Sequence, residues 1–179
     1  MDVDFSKLIE KTIESGAFKA AVIPVSSIET DSYFRELCKM NYCGNYGRNR
    51  MCPPFVGEID ELIEKLRTFK WALVYQTVGV IEDSYDFEGM MEAQRLHGKL
   101  ALKMRKTADE LINETNTLHL GAGGCNICEV CAEPCRHPEL AFASLEAYGV
   151  NVSRLAEAAG MKYINGQDTV TYFGAVFFG

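Results

Sequence analysis

Four cysteines fall within eleven residues, Cys125, Cys128, Cys131 and Cys135, in the spacing C-x2-C-x2-C-x3-C. This is the bacterial-ferredoxin way of holding a [4Fe–4S] cluster, in which closely spaced thiolates wrap one corner of a cube and each reaches a different iron. The preceding Gly121-Ala122-Gly123-Gly124 lets the backbone approach and turn without Cβ clashes, leaving amide N–H groups to face cluster sulfides. Free cysteines are often just small buried apolar residues, but GAGGCNICEVCAEPC offers no apolar stripe that would bury four of them. Structural zinc is the other thiolate chemistry. It needs four sulfurs about 2.3 Å from one centre, usually from two separate C-x2-C knuckles, and ligands this dense along the chain are awkward at that radius. An iron–sulfur cluster is the first reading and zinc the alternative. A radical S-adenosylmethionine site would need C-x3-C-x2-C, the reverse of the order running from Cys128 to Cys135, and is unsupported.

A second set, Cys38, Cys43 and Cys52, lies in CKMNYCGNYGRNRMCPP. Pro53 directly after Cys52 removes an N–H, fixes φ and turns the chain away from a site. Bacterial ferredoxins place a proline after their remote fourth ligand, whereas Cys135 is followed by Arg136. Three arrangements follow. One cluster uses the four close cysteines; or Cys125, Cys128 and Cys131 take Cys52 as fourth ligand; or two clusters share all seven thiolates, with one iron left to solvent, His137 or a carboxylate. The first leads. A packing role for Cys38, Cys43 and Cys52 stands beside the metal role.

The two blocks CKMNYCGNYGRNRMCPP and GGCNICEVCAEPCRHPELAFASLEAYGVNV resemble a bacterial and archaeal family of predicted metal-binding proteins of unknown function. That family carries similar C…C…YG…CPP and GxCxxCxxC…PCRxP…SxEAxGV signatures. The resemblance runs from about Cys38 to Val152 and implies metal binding through Cys38, Cys43, Cys52, Cys125, Cys128, Cys131 and Cys135. It brings no substrate.

Other polar residues read less sharply. His97 sits on the apolar face of a long helix and reads as a core or groove histidine, and His119 beside a short strand reads the same way. His137, two residues after Cys135, is the histidine placed to ligate, although CRHP also suits a turn. Arg48, Arg50 and Arg136 can offset the charge of a thiolate-bound cluster or steer an acidic partner, or simply be solvated. Glu129 and Glu133 stand between ligands, where negative charge lowers a cluster's potential. Glu146 can hydrogen-bond the metal loop or cap a helix. No nucleophile–base–orienter arrangement can be read, so nothing names an enzyme unless an open iron binds a small substrate. The Gly121–Gly124 run lacks the G-x-G-x-x-G spacing of a dinucleotide loop.

Several elements must position these loops. Apolar spacing predicts helices over residues 4–15, 33–40, 58–69, 87–113 and 138–148, and another capped by Asn151 and closed by Gly160. Strands are expected over 18–25, as a buried strand, and over 71–81, 118–120 and 169–178. The last is almost wholly apolar and must be central in a sheet or part of a subunit contact. The alternation predicts a single α/β layered domain over residues 1–179, with a mostly buried mixed sheet, helices packed on it, and the cysteine loops at one edge.

The 179 residues, 47% of them hydrophobic, suffice for one full core. A net charge of −7 with no basic stripe disfavours nucleic acid and anionic membranes as partners. No apolar run approaches the roughly 20 residues of a membrane span, and the acidic, amphipathic N-terminus lacks a signal pattern. Seven cysteines, an odd number, fit reduced thiols in the cytoplasm better than a disulfide framework. The composite expectation is a cytoplasmic iron–sulfur protein that passes electrons to a redox partner protein or senses redox state. A zinc-stabilised interaction module and an open-site iron–sulfur enzyme are the alternatives, and a homodimer is compatible with the apolar C-terminal strand.

Overall fold

A computed structural model describes residues 3–112 and 116–179. Five strands form one mixed sheet in the order β1-β2-β5-β3-β4: β1 Lys19–Pro24, β2 Trp71–Val80, β3 Leu118–Gly121, β4 Ala143–Ser144 and β5 Thr169–Phe178. All neighbours are antiparallel except β3 and β4. β5 is central, and all ten of its residues pair with β2, from Trp71 opposite Phe178 to Val80 opposite Thr169. Its apolar character is thereby accounted for within one chain: Phe173 and Ala175 to Phe178 are almost fully buried, with β2 on one side and β3 on the other.

Helices cover both faces, giving the expected layered α/β architecture. Helix α1 (Phe5–Glu14) and helix α4 (Phe87–Ile112) lie on one face, where Leu8, Leu100, Met104 and Ala108 pack on Leu73, Tyr75, Val176 and Phe178. Helix α3 (Ile59–Arg67), helix α5 (Val152–Ala158) and the turn Glu146–Tyr148 cover the other. There Leu62, Leu66, Leu145 and Leu155 meet Val74, Phe173, Ala175 and Phe177. The helix starts follow local chemistry. The Asp4 carboxylate accepts the Lys7 N–H at 3.1 Å, and the Asn151 side chain accepts the Arg154 N–H at 3.3 Å. The end expected for α4 at Asn113 falls outside the described residues.

Two expectations are corrected. The strand over 18–25 is an edge strand, paired only with β2 and largely half-buried or exposed, because an edge position leaves one side without a neighbour. The helix expected over 138–148 is instead a turn, the two-residue strand β4 and a 3-10 turn. Ala141, Ala143, Leu145 and Ala147 are buried while Phe142, Ser144 and Glu146 are less so. That alternation has the period of a strand, not of a helix. The carbonyls of this segment turn outward: Arg105 of α4 donates to Pro138 O at 3.3 Å, to Glu139 O and to Ala141 O at 3.2 Å. Leu145 N–H bonds Gly121 O at 3.0 Å.

Candidate metal centre

Helix α2 (Phe34–Lys39) carries Cys38 in its last turn. The segment 29–31 bonds across to 149–151, through Asp31 N–H to Gly149 O at 2.7 Å and Asn151 N–H to Glu29 O at 3.0 Å, which brings α2 against the Glu146–Tyr148 turn. Beyond α2 the chain folds through two turns, Asn41 N–H to Cys38 O and Gly44 N–H to Asn41 O, each 3.0 Å. Exposed Cys43 sits on these turns. The chain returns at Cys52, which is buried and whose N–H bonds Asn49 O at 3.3 Å.

Cys38, Cys43 and Cys52 line one cavity of about 220 Å³ with Glu146, Ser144, Gly123 and Gly124. The glycines come from the lead-in to the second cysteine block, so the two blocks meet here. A Cβ on Gly124 would fall 2.5 Å from Asn45 Cγ, and the Asn45 amide donates to Cys43 O at 3.2 Å. A side chain at Gly124 would push the Asn45 amide out of this contact.

The surroundings of Cys38, Cys52 and Cys125 shift their thiols. Burial pushes the Cys38 thiol up; the Arg35 guanidinium opposes this, while Cys43 and the Glu146 carboxylate add to it. Burial also raises Cys52, against a hydrogen bond from the Asn49 side chain, with Cys43 and Cys38 raising it further and the Cys125 backbone amide lowering it. Cys125 is raised by burial, lowered by the Ile127 amide, and raised by Cys131, Cys135 and Cys128. Thus Cys131, Cys135 and Cys128 act on Cys125, Cys43 acts on both Cys38 and Cys52, and the Cys125 amide links Cys52 to the loop. Cys52 lies against the backbone of Cys125, the first of the loop cysteines.

The Cys125–Cys135 segment has no helix or strand and connects β3 to β4. Its shape rests on arginines. Arg136 donates to Val130 O at 2.7 Å. Arg50 pairs with Glu133 and lies 4.4 Å over the Phe55 ring, tying the first block to the second. Arg48 donates to Gly44 O at 3.3 Å within the first block. Among the described residues, no three Cys, His, Asp or Glu side chains stand in the arrangement that holds a single metal ion. Cys38, Cys43 and Cys52 line one cavity. A single zinc needs all four ligands near 2 Å from one centre, whereas a cluster fills a space with several irons. A half-open cavity lined by three soft sulfurs and one carboxylate offers donors that suit iron–sulfur and zinc chemistry alike.

The histidines lie elsewhere. His97 is 2% exposed, with Nδ1 2.9 Å from Thr77 Oγ1 and its ring stacked on Tyr75; burial pushes its pKa down to about 4. His119 is lowered to about 4, mainly by burial, and lies 3.7 Å from Asp109. His137 is half-exposed, 3.7 Å from Glu139, and lines neither the cavity nor its rim. Three residues that the sequence did not single out matter more: Arg35, Asn49 and Ser144. Arg35 precedes Cys38 by one helical turn, a spacing that puts both on one face. Ser144 donates to the Glu146 carboxylate and accepts the Ala147 N–H at 3.1 Å, which orients Glu146 within the SLEAYG motif.

A comparison of the sequence with protein-family models matches residues 21–178 to the family described as "Predicted metal-binding protein (DUF2284)". The chain belongs to this family. Metal binding is the property the family description carries, and both cysteine blocks lie inside the matched range. No curated protein and no solved structure matches the chain.

Proposed function

We propose that this member of the family is a cytoplasmic iron–sulfur protein that carries single electrons to or from a redox partner protein, or reports redox state. Its primary site is a [4Fe–4S] cluster held by Cys125, Cys128, Cys131 and Cys135. The observation that supports this reading is that the four thiols, all partly exposed, share one short loop between β3 and β4 with no regular structure of its own. Reversible uptake of one electron is what such a cluster supplies when bound. The chain's own residues set the conditions. Glu129 disfavours an added electron and Arg136 offsets negative charge. Arg50, paired with Glu133, holds the loop to the first block. The loop thiols are partly exposed, which suits electron transfer at close approach of a partner.

Anaerobic purification tests this directly. The protein is expected to be brown, to contain iron and acid-labile sulfide in equal amounts, and to bleach on reduction. Cys128→Ser with Cys131→Ser should remove at least about four irons per chain. A colourless protein holding stoichiometric zinc would overturn the reading in favour of a structural module. The cavity beside Cys38 favours a second reading, an iron–sulfur centre with one iron not held by cysteine.

A further inference from the structure

Two residues near Cys38, Arg35 and Glu146, make no ion pair among the described residues. Arg35 is 7% exposed; Nη1 donates to Gly57 O at 2.8 Å, Nη2 reaches Ala147 O at 3.5 Å, and Nε has no hydrogen-bond partner. Among the described residues it makes no ion pair, and an isolated buried cation is costly unless an anion compensates it. Glu146 lines the cavity and acts on the Cys38 thiol; the Ser144 hydroxyl holds its carboxylate, and no cation pairs with it among the described residues. Three thiols and a carboxylate around about 220 Å³ of space, with a buried guanidinium behind Cys38 that acts on its thiol, are the makings of an anionic metal centre.

We propose that Cys38, Cys43 and Cys52 hold a second [4Fe–4S] cluster in this cavity through three irons, and that the Glu146 carboxylate is the ligand of the fourth. The assignment rests on the iron–sulfur reading above. When a preformed cluster is taken up from a complex with small thiolates, three Fe–S bonds and one Fe–O bond form as four Fe–thiolate bonds break, the protons of the three thiols and the carboxyl pass to the four departing thiolates, and no electron moves. The site is then net negative, and Arg35 is the buried cation that offsets it. Carboxylate oxygen is a harder donor than thiolate and suits a sulfide-bridged iron less well, so the fourth iron is the one that exchanges. His137, half-exposed and away from the cavity, has no part in the site.

The test uses the full chain carrying Cys128→Ser and Cys131→Ser, anaerobically loaded from a preformed [4Fe–4S] complex of small thiolates and freed of unbound complex. About four irons should remain, with one Mössbauer doublet in four distinct from the rest. Adding Glu146→Ala should cut the iron by about a quarter and give the paramagnetic signal of a three-iron cluster after mild oxidation. Adding Glu146→Cys instead should keep all the iron and erase the distinct doublet. Full iron with an unchanged spectrum in Glu146→Ala overturns the assignment, as does one doublet for all four irons when Glu146 is native. Loss of all iron from the double serine variant refutes the second site while leaving the loop cluster intact as a reading. Absence of iron from the unsubstituted chain defeats the iron–sulfur reading itself.

Discussion

At the scale of single residues, the seven cysteines were legible because thiol spacing is chemistry written directly along the chain. Arg35 was not, since nothing in its neighbours announces that it turns inward beside Cys38. Its side chain is the cation closest in role to the cavity, and removing positive charge near a cluster disfavours an added electron. Arg35→Met is therefore expected to lower the reduction potential of the Cys38-site cluster by tens of millivolts while leaving the loop cluster unchanged, as read by a potentiometric titration followed spectroscopically. Glu146 was visible in the sequence only as a residue with several bland roles. What gives it a role is the cavity, assembled from residues more than a hundred positions apart.

At the scale of elements, most helices and strands were readable from periodicity and caps: Asp4 and Asn151 cap the helices they precede. The segment 138–148 was misread because Pro138 to Tyr148 has the composition of a helix. Its alternating Ala141, Ala143, Leu145 and Ala147 carried the strand period, but small residues make that signal weak. The deciding contact is Arg105, which gathers three carbonyls and stacks 4.1 Å over Phe142. Arg105→Ala should cost about 2 kcal/mol, the worth of hydrogen bonds to a charged group, measured by urea unfolding. Amide exchange should quicken in residues 141–145. Unchanged exchange there would show that β3 pairing alone holds the segment.

At the scale of the whole molecule, the stability depends on two cores, one on each face of a sheet whose centre is β5. Phe177 is fully buried, and Phe177→Ala should cost about 3–5 kcal/mol, enough to threaten folding altogether. Acid should weaken the fold through His97. Its folded pKa of about 4 lies below the ordinary value of 6.5, so the unfolded chain binds more protons between those values. The contribution is complete above pH 6.5 and is lost as pH falls towards 4. By pH 5 the loss amounts to about 2 kcal/mol, and His97→Leu should flatten the fall of unfolding free energy between pH 7 and 5. No helix among the described residues is long and apolar enough to cross a membrane.

The amino-acid order alone determined which atoms this protein offers to a metal, because ligand type and local spacing are properties of the chain. It also determined the α/β class, since periods of two and 3.6 are local geometry. Strand order, the central place of β5 and the cavity that Cys38, Cys43 and Cys52 share with Glu146 were decided only in three dimensions. These depend on which distant segments bury which faces against one another. The pairing of residues 29–31 with 149–151 sets Glu146 opposite Cys38, and no local pattern in the sequence encodes that meeting.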